Sequence, residues 1–385
     1  MSDNEERAGG QAGCGGARPE VTLVVTAHNM EDCLGEALAS LAAQTFGDFR
    51  AIVVEDGSLD GTYAVAEAFC ASDGRFSVVR TEGLGAAGAR NRGLEMVDSP
   101  FFMLLDGDDV FHPDLLEKLH RGIVGNDADL AVCDIVQVDH ATGRREEAPW
   151  ALKRGQLPAG LPAFSWRDME GNPFAAFMGW PWDKLYRTDF ARKEGLRFPE
   201  DLANSEDMLF TYKAVVLARR ICVVDEVLID HRIGRGGSVS SSRAKDPYAF
   251  YEALCRMKAF LKGLPGDCWD GLGRSYLNWA FDWTLWNIET MPDDDVRAEM
   301  ARRLRDGAFA ELELDKHAPA FFAGYPRSMA RYASILEDDC GEPDKGPLGP
   351  IGSLPYGKFK PWSQAGVLDK LAIKWRMWRA KPVEW

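Results

Sequence analysis

Three carboxylates crowd one short loop in this chain of 385 residues. Asp106, Asp108 and Asp109 follow an apolar run at 101–105, with only Gly107 between the first two. Unpaired, they repel one another, and a divalent cation would relieve that repulsion. Mg²⁺ typically takes one or two protein carboxylates and completes its shell with phosphate oxygens and water. On its own the loop is equally typical of a capped turn, whereas an EF-hand is disfavoured because its third acidic position, glycine and distal Glu are missing.

Further acidic positions could take part in related chemistry. Asp56 closes another apolar run, where its carboxylate can accept a hydrogen bond from the ring N–H of a uracil-like base, or simply cap a turn. Glu206 and Asp207 stand at the start of a helical pattern. They can complement the helix dipole, or one of them can act as a general base that takes the proton from a hydroxyl.

A glycine-rich segment offers a rival interpretation. Residues 83–88 satisfy Gly-x-Gly-x-x-Gly after an apolar run, which mimics a dinucleotide-binding fingerprint. A dinucleotide-dependent oxidoreductase is therefore an alternative, although it leaves Asp108, Asp109 and the pair at 206–207 without a role. Among the histidines only His231 stands out, because Arg, Gly and Ser follow it as they would around a diphosphate.

The elements between these groups must bring them together. Alternating strand and helix patterns indicate parallel βαβ units covered on both faces. Ligands bind at the carboxyl ends of such strands, so the pattern predicts one pocket that contains both Asp56 and the acidic loop. Strands are predicted from β-branched apolar runs at 21–27, 50–55, 76–81, 99–109 and 130–139.

The second half of the chain has a different pattern. Residues 182–195 predict a turn followed by a short helix. Residues 205–220 predict a helix with Ser205 at its cap, and 221–233 read as an extended run or a strand pair. After residue 246 the pattern is helical.

Composition excludes some classes of function. The formal net charge of -15 should repel nucleic acid, so we expect no nucleic-acid partner. Eight cysteines without a Cys-x-x-Cys pair indicate reduced thiols in a cytosolic protein. We find no signal-peptide pattern and no apolar run long enough to cross a bilayer, so a cytoplasmic location is expected. The polar, Gly-rich residues 1–19 predict a disordered tail.

The last segment departs from the acidic average. Residues 361–385 carry five basic and two acidic side chains, a net charge of +3. On a helix their leucines and tryptophans share one face, with lysines and arginine around it. Such a helix suits an anionic membrane surface, or it docks on its own domain or on a partner subunit. A peripheral membrane contact through 366–381 is one of these expectations.

The order of these motifs resembles family 2 glycosyltransferases of the GT-A fold over about residues 21–240. The opening strand is followed by Thr26-Ala27-His28-Asn29, where relatives commonly have Pro-x-Tyr-Asn. Further likenesses are the base-binding segment around Asp56, the glycine-arginine segment 85–93 with Arg90, the Asp-x-Asp element at 106–108, the Trp-x-Lys-Leu-Tyr-Arg segment 182–187, the Glu-Asp pair at 206–207 and the late loop 231–240.

The resemblance implies a role for each matching position. Asp207 is the expected base, with Glu206 beside it. Asp106 and Asp108 would hold Mg²⁺ or Mn²⁺, with His231 as a further metal ligand. Trp182 and Lys184 are expected on the acceptor side. The nucleotide-sugar contacts are expected from Thr26, His28, Asp56, Arg90, Asp106 and Arg232.

The resemblance also implies an activity. It is the inverting, metal-dependent transfer of a sugar from a nucleotide diphosphate such as a UDP-sugar to a hydroxyl of a glycan or lipid-linked acceptor. The setting would be cell-surface polysaccharide synthesis at the inner face of the plasma membrane. A non-catalytic carbohydrate-binding or scaffold member is a further alternative. The expected organisation is a GT-A domain at 20–240, a helical region at 241–360 and the terminal basic helix at 361–385.

Overall fold

The computed structural model describes residues 18–235, 243–305 and 312. The predicted tail, most of the loop that follows residue 235, much of the region 241–360 and the basic helix at 361–385 lie outside the described residues.

The described strands and helices alternate through the first half of the chain, as predicted. The strands are β1 (Val21–Ala27), β2 (Phe49–Asp56), β3 (Phe76–Thr81), β4 (Phe101–Asp106), β5 (Val110–Phe111), β6 (Leu130–Asp139), β7 (Arg145–Glu147), β8 (Lys184–Arg187) and β9 (Ile221–Ile233). The helices are α1 (Leu34–Ala42), α2 (Thr62–Ser72), α3 (Gly85–Glu95), α4 (Leu115–Gly125), α5 (Pro173–Ala176), α6 (Thr188–Lys193), α7 (Glu206–Leu217), α8 (Ala249–Gly263), α9 (Cys268–Glu289) and α10 (Asp294–Arg305).

Within the described residues these strands form one mixed sheet in the order β3-β2-β1-β4-β8-β6-β9-β5, with β7 paired to β6. The first four run parallel. β8 is antiparallel to both β4 and β6, and β9 runs parallel to β6. The carboxyl ends of β1, β2, β4, β6 and β9 therefore point to the same edge. This is the edge at which the sequence predicted a shared pocket.

Alternating side chains of the central strands fill two separate cores. Leu23 and Val25 of β1 face a cluster that includes α1 and α4. Val24, between them, faces a cluster that includes α3 and α7. Because both faces are covered, the central strands read as continuous apolar runs instead of alternating ones. That run pattern is why their positions could be predicted from the sequence.

One local prediction was wrong, and a second held for position only. Residues 184–187, expected in a turn, form strand β8 in the middle of the sheet. The buried charge of Lys184 is neutralised there by an ion pair with Asp183. Ser205 occupies the N-cap position of α7, but its side chain does not cap the helix. Its backbone has a φ of 64°, in the left-handed region, which is uncommon for a residue with a Cβ.

Helix α7 lies between two cores. Phe210 and Val215 pack into the sheet-side cluster, whereas Leu209 and Tyr212 pack into a third cluster built with α8 and α9. The described helices after residue 246 therefore form the other wall around α7. None of the helices in the described ranges combines the length and hydropathy needed for a bilayer-spanning segment.

The contact between α3 and β1 requires a glycine. A Cβ added at Gly93 would overlap both methyl groups of Val24. We expect Gly93→Ala to lower the free energy of unfolding by about 1–3 kcal/mol, the usual cost of overpacking a core. Gly125→Ala is the matched control, because nothing lies within 4 Å of a Cβ there. Urea titration of both variants measures the difference, and equal stability of the two would contradict the close approach of α3 to the sheet.

Candidate active site

The carboxyl edge of the sheet is joined to helix α7 by one buried guanidinium. Arg90 of α3 donates from Nη2 to Asp106 Oδ1 and from Nη1 to Glu206 Oε1, both at 2.9 Å. Thr26 Oγ1, at the end of β1, also donates to Asp106 Oδ1 at 3.3 Å. Burial alone would lower the pKa of Arg90, but the charges of Asp106 and Glu206 raise it above its ordinary value. Four predicted site residues, Thr26, Arg90, Asp106 and Glu206, therefore meet in one cluster.

Asp108 extends from the same loop toward the end of β9. Arg235 Nε donates to Asp108 Oδ2 at 3.2 Å, and Arg235 Nη1 donates to the carbonyl of Asn29 at 2.7 Å. Burial raises the pKa of Asp108 to about 6, with help from the charges of Asp109 and Asp106 and against the effect of Arg235. An additional positive charge nearby would stabilise the ionised form of Asp108.

Asp109 ties the acidic loop to β9. Its Oδ1 accepts hydrogen bonds from His231 Nδ1 at 3.0 Å and from the Arg232 backbone N–H at 2.8 Å. Burial raises the pKa of Asp109, whereas His231 opposes the rise. Burial alone would lower the pKa of His231, but the charge and hydrogen bond of Asp109, together with the charges of Asp106 and Asp108, raise it above its ordinary value. Arg232 bonds Glu36 and the carbonyl of Asp108, so it supports the loop from outside.

Asp56 holds the glycine loop at the end of β2. Its Oδ1 accepts from Thr81 Oγ1 at 2.6 Å and from the Leu84 N–H at 2.7 Å, and its Oδ2 accepts from the Gly85 N–H at 2.8 Å. Three of about four lone-pair sites are thus used. His28 Nδ1 lies 2.7 Å from the backbone carbonyl of Asp56 and remains exposed. The glycine segment therefore presents its first helical amides to Asp56, which leaves the dinucleotide alternative without the donors it needs.

Asp207 lies beside Glu206 in the first turn of α7 and is partly exposed. Its Oδ1 accepts from the Met208 N–H at 2.7 Å. Burial and the charge of Glu206 raise the pKa of Asp207 to about 7, although Arg90 acts in the opposite direction. The charge of Asp106 makes a further contribution to the same rise. A carboxylate with such a pKa can exchange a proton near neutral pH.

The two residues predicted on the acceptor side are both buried. Trp182 is 3% exposed, and its ring stacks on His231 with 4.6 Å between centroids. Lys184 is fully buried, and its Nζ donates to Asp183 Oδ1 at 2.5 Å and to the carbonyls of Met178 and Trp180 at 3.2 and 2.8 Å. Its donors are spent inside the protein, so a direct contact of Lys184 with an acceptor is not supported.

The acidic loop can supply only some of the oxygen ligands that a hard cation such as Mg²⁺ needs. The remaining ligands would have to come from outside the loop. Asp106 and Asp108 offer carboxylate oxygens, and Asp109 Oδ2 has no hydrogen-bond partner among the described residues. In the same residues, no group of three or more His, Cys, Asp or Glu side chains converges as a complete ligand set. His231 bonds Asp109 through Nδ1 and stacks its ring on Trp182. These contacts hold the acidic loop in place, and they give no support to a role of His231 as a metal ligand.

A cavity of about 360 Å³ opens beside this cluster. The glycine loop at 83–87 forms one wall, and residues 200–203 with Glu206 form the other. The cleft therefore continues from the buried ion pairs of Arg90 to the surface.

Comparison with known proteins identifies the part of the chain that carries Asp56, Arg90 and the acidic loop. The sequence model of the family described as Glycosyl transferase family 2 matches residues 22–179. Residues 22–179 belong to glycosyl transferase family 2. The match ends before α7, so the assignment of Glu206 and Asp207 to the glycosyl transferase site depends on their geometry.

Two bacterial relatives share this sequence pattern. EpsH of Bacillus subtilis, named as a glycosyltransferase, is 31% identical over 217 residues, which cover 56% of this chain and 61% of EpsH. The poly(ribitol-phosphate) beta-N-acetylglucosaminyltransferase TarS of Staphylococcus aureus is 27% identical over 236 residues, which cover 60% of this chain and 39% of TarS. The chain thus spans about three fifths of EpsH and two fifths of TarS.

Solved structures with the same fold extend the comparison past residue 179. TarS 1–349 from S. aureus in complex with UDP-GlcNAc has a TM-score of 0.65 at 22% identity, covering 82% of this chain and 90% of that one. The mannosyltransferase PcManGT from Pyrobaculum calidifontis, in complex with GDP-Man and Mn²⁺, has a TM-score of 0.51 at 16% identity, with coverage of 83% and 84%. The predicted GT-A fold is confirmed by these likenesses.

Two residues that contact the candidate site were missed at the sequence level. Arg235 was overlooked because it stands among glycines in a segment with no regular period. Trp180 was overlooked because the motif that carried the resemblance begins at Trp182. The Trp-Pro-Trp spacing at 180–182 was the available signal, since the two rings stack with 4.7 Å between centroids.

Removing the shared guanidinium should destabilise the glycosyl transferase domain. In Arg90→Gln, Asp106 and Glu206 lose their common partner, and breaking a buried ion pair in this way costs roughly 3–5 kcal/mol. The matched control is Arg92→Gln on the same helix, since Arg92 is exposed and its one ion pair within the described residues is with Glu95, three positions away. Its cost should stay within about 0.5 kcal/mol. Denaturant unfolding tests both, and a similar small loss in each would show that Arg90 is dispensable.

Proposed function

We propose that this protein transfers a sugar from a nucleotide diphosphate, a UDP-sugar in the first instance, to a hydroxyl of a glycan or lipid-linked acceptor. The observation that carries the proposal is the Arg90 bridge, which places the acidic loop and the first turn of α7 in one cleft. The names of EpsH and TarS, and the UDP-GlcNAc complex of TarS, support the choice of reaction and donor. Cell-surface polysaccharide synthesis at the inner face of the plasma membrane is the proposed setting.

The donor would lie along the carboxyl edge between Asp56 and the acidic loop. Asp56 retains one lone pair on Oδ2 for a base N–H, and His28 beside it is exposed to the same side. Thr26 and Arg90 act through Asp106, which they hold in place. Arg232 acts in the same way on the backbone of the acidic loop.

Asp106 and Asp108 would hold Mg²⁺ or Mn²⁺ together with the donor phosphates. A bound divalent ion supplies positive charge that stabilises the leaving diphosphate. Burial and the charges of Asp109 and Asp106 raise the pKa of Asp108, and a cation beside these carboxylates would relieve their repulsion. The Mn²⁺ complex of PcManGT, which has the same fold, supports this choice of cofactor.

Asp207 would take the proton from the acceptor hydroxyl. It is partly exposed at the cleft, and Glu206 beside it is held by Arg90. General-base catalysis is most effective when the pKa of the base lies near the working pH. As the base and the leaving group act on opposite sides of the sugar, a single displacement gives inversion at the anomeric carbon.

Metal dependence tests the acidic loop. UDP with Mn²⁺ should raise the melting temperature of the protein, because a ligand that binds only the folded state stabilises it. Asp108→Asn should remove the part of this shift that requires Mn²⁺, and Asp127→Asn, an exposed carboxylate elsewhere, should keep it. An unchanged Mn²⁺-dependent shift in Asp108→Asn would refute the metal site. A shift with NAD(P) and none with UDP would favour the oxidoreductase alternative, and no shift with either would favour a scaffold.

The proposed role of Asp207 as the base predicts how kcat/KM depends on pH. The raised pKa means that Asp207 is fully ionised only above about pH 7, so kcat/KM should fall by about tenfold per pH unit below that value. Asp207→Asn should lose about 10²–10⁴ in rate while it still binds UDP. Slow hydrolysis of UDP-GlcNAc and other nucleotide sugars, followed from pH 5 to 9, measures both effects without an acceptor. Undiminished turnover in Asp207→Asn would exclude this residue as the base.

A further inference from the structure

Four aromatic rings run without interruption from the acidic loop to the surface. His231, bonded to Asp109, stacks on Trp182 with 4.6 Å between centroids. Trp182 stacks on Trp180 at 4.7 Å, and Trp180 meets Trp150 edge to face at 5.4 Å and 78°. Burial decreases along the series: Trp182 is buried, Trp180 is partly exposed and Trp150 is 36% exposed. The outer two rings therefore form an aromatic corner at the surface.

The corner lies against the elements that carry the proposed chemistry. The backbone before Trp180 packs on the first turn of α7, because a Cβ at Gly179 would meet Met208 Cα at 3.1 Å. Met208 directly follows Asp207. On the other side, the ring of Trp180 is 5.3 Å from that of His231, which is joined to the acidic loop. Trp180 is thus connected to the first turn of α7 through the backbone that precedes it, and to the acidic loop through His231.

Hydrogen bonds from Lys184 hold the turn that carries Trp180. The buried Nζ of Lys184 donates to the carbonyls of Met178 and Trp180, and Asp183 balances its charge. Trp182 covers one face of the Trp180 ring and so restricts its rotation. A side chain held in this way offers contact area at low entropic cost, which is the property of aromatic anchors at binding sites.

The chemistry of the corner selects its ligand. A partly exposed indole face is apolar and carries negative electrostatic potential, and the C–H bonds of a pyranose ring are weakly positive. A pyranose with equatorial hydroxyls exposes such C–H bonds on both faces. A flat ring against Trp180 would have its edge against Trp150, since the two indoles are almost perpendicular.

We propose that Trp180 and Trp150 form the subsite for the acceptor, and that its occupant is a pyranose ring with equatorial hydroxyls. The inference rests on the proposed transferase function, and it replaces Trp182 and Lys184 as the acceptor contacts. Those two residues instead position the corner. Because the backbone before Trp180 packs against the residue that follows Asp207, a sugar ring bound on Trp180 would direct its hydroxyl toward the base.

Saturation-transfer NMR with cellotetraose and chitotetraose tests the subsite in the presence of UDP and Mn²⁺. Irradiation of the aromatic protons should transfer saturation to the ring C–H protons of at least one oligosaccharide. Trp180→Ala should weaken that binding on the order of tenfold, and Trp150→Ala by roughly threefold, as stacking on one aromatic ring is worth up to about a factor of ten. Trp180→Phe should retain part of the affinity.

Trp286→Ala provides the matched control, because Trp286 is comparably exposed, at 38%, on helix α9. It should leave oligosaccharide binding unchanged. The proposal is overturned if neither oligosaccharide binds the unaltered protein, if Trp180→Ala and Trp150→Ala bind as the unaltered protein does, or if Trp286→Ala loses binding equally. Trp150 is exposed, so its replacement tests the corner even if Trp180→Ala does not fold. The UDP-dependent rise in melting temperature is measured separately, so its absence refutes the transferase proposal and not merely the subsite.

Discussion

The sharing of one buried guanidinium between two carboxylates governs the architecture of this protein. Arg90 joins a strand end, through Asp106, to the start of α7, through Glu206. Each charge in this cluster would be costly to bury alone, because desolvation of an unpaired ion exceeds what surrounding dipoles return. Arg90, Asp106 and Glu206 can be buried only because each charge is paired within the cluster. The relative position of the acidic loop and Asp207 is therefore set by electrostatics as well as by packing.

The balance of charged side chains explains why the cleft favours positively charged ligands. Five carboxylates converge here: Asp106, Asp108, Asp109, Glu206 and Asp207. The cations in direct contact with them are Arg90, Arg235 and His231, so the described part of the cleft is left with excess negative charge. Burial raises the pKa values of Asp108, Asp109 and Asp207, and the charges of neighbouring carboxylates add to the rise. A divalent cation would reduce the repulsion, and a diphosphate then has a partner in a cleft that would otherwise repel it.

The sequence predicted those features that depend on a regular period or on a strand end. Strands β1, β2 and β4 and the first seven residues of β6 are buried on both faces, so they appear as apolar runs, and parallel topology sends their carboxyl ends to one edge. Asp56 and the acidic loop could be placed there from the sequence alone. Strand β8 could not, because it is four residues long and its buried lysine depends on Asp183. The positions of Arg235 and Trp180 depend on contacts distant in sequence, which no local pattern encodes.

The glycine loop illustrates how one local motif can serve two chemistries. A helix that begins after glycines offers free amides, and these bind a phosphate when nothing else does. Here the Leu84 and Gly85 amides meet the carboxylate of Asp56, so an internal anion takes the place a pyrophosphate would have. The loop is consequently fixed in position and can form a wall of the cleft. Because Arg90 lies one and a half turns further along the same helix, Asp56 orients the guanidinium on which Asp106 and Glu206 depend. The strand ends, the helix and the ion pairs therefore form one connected scaffold.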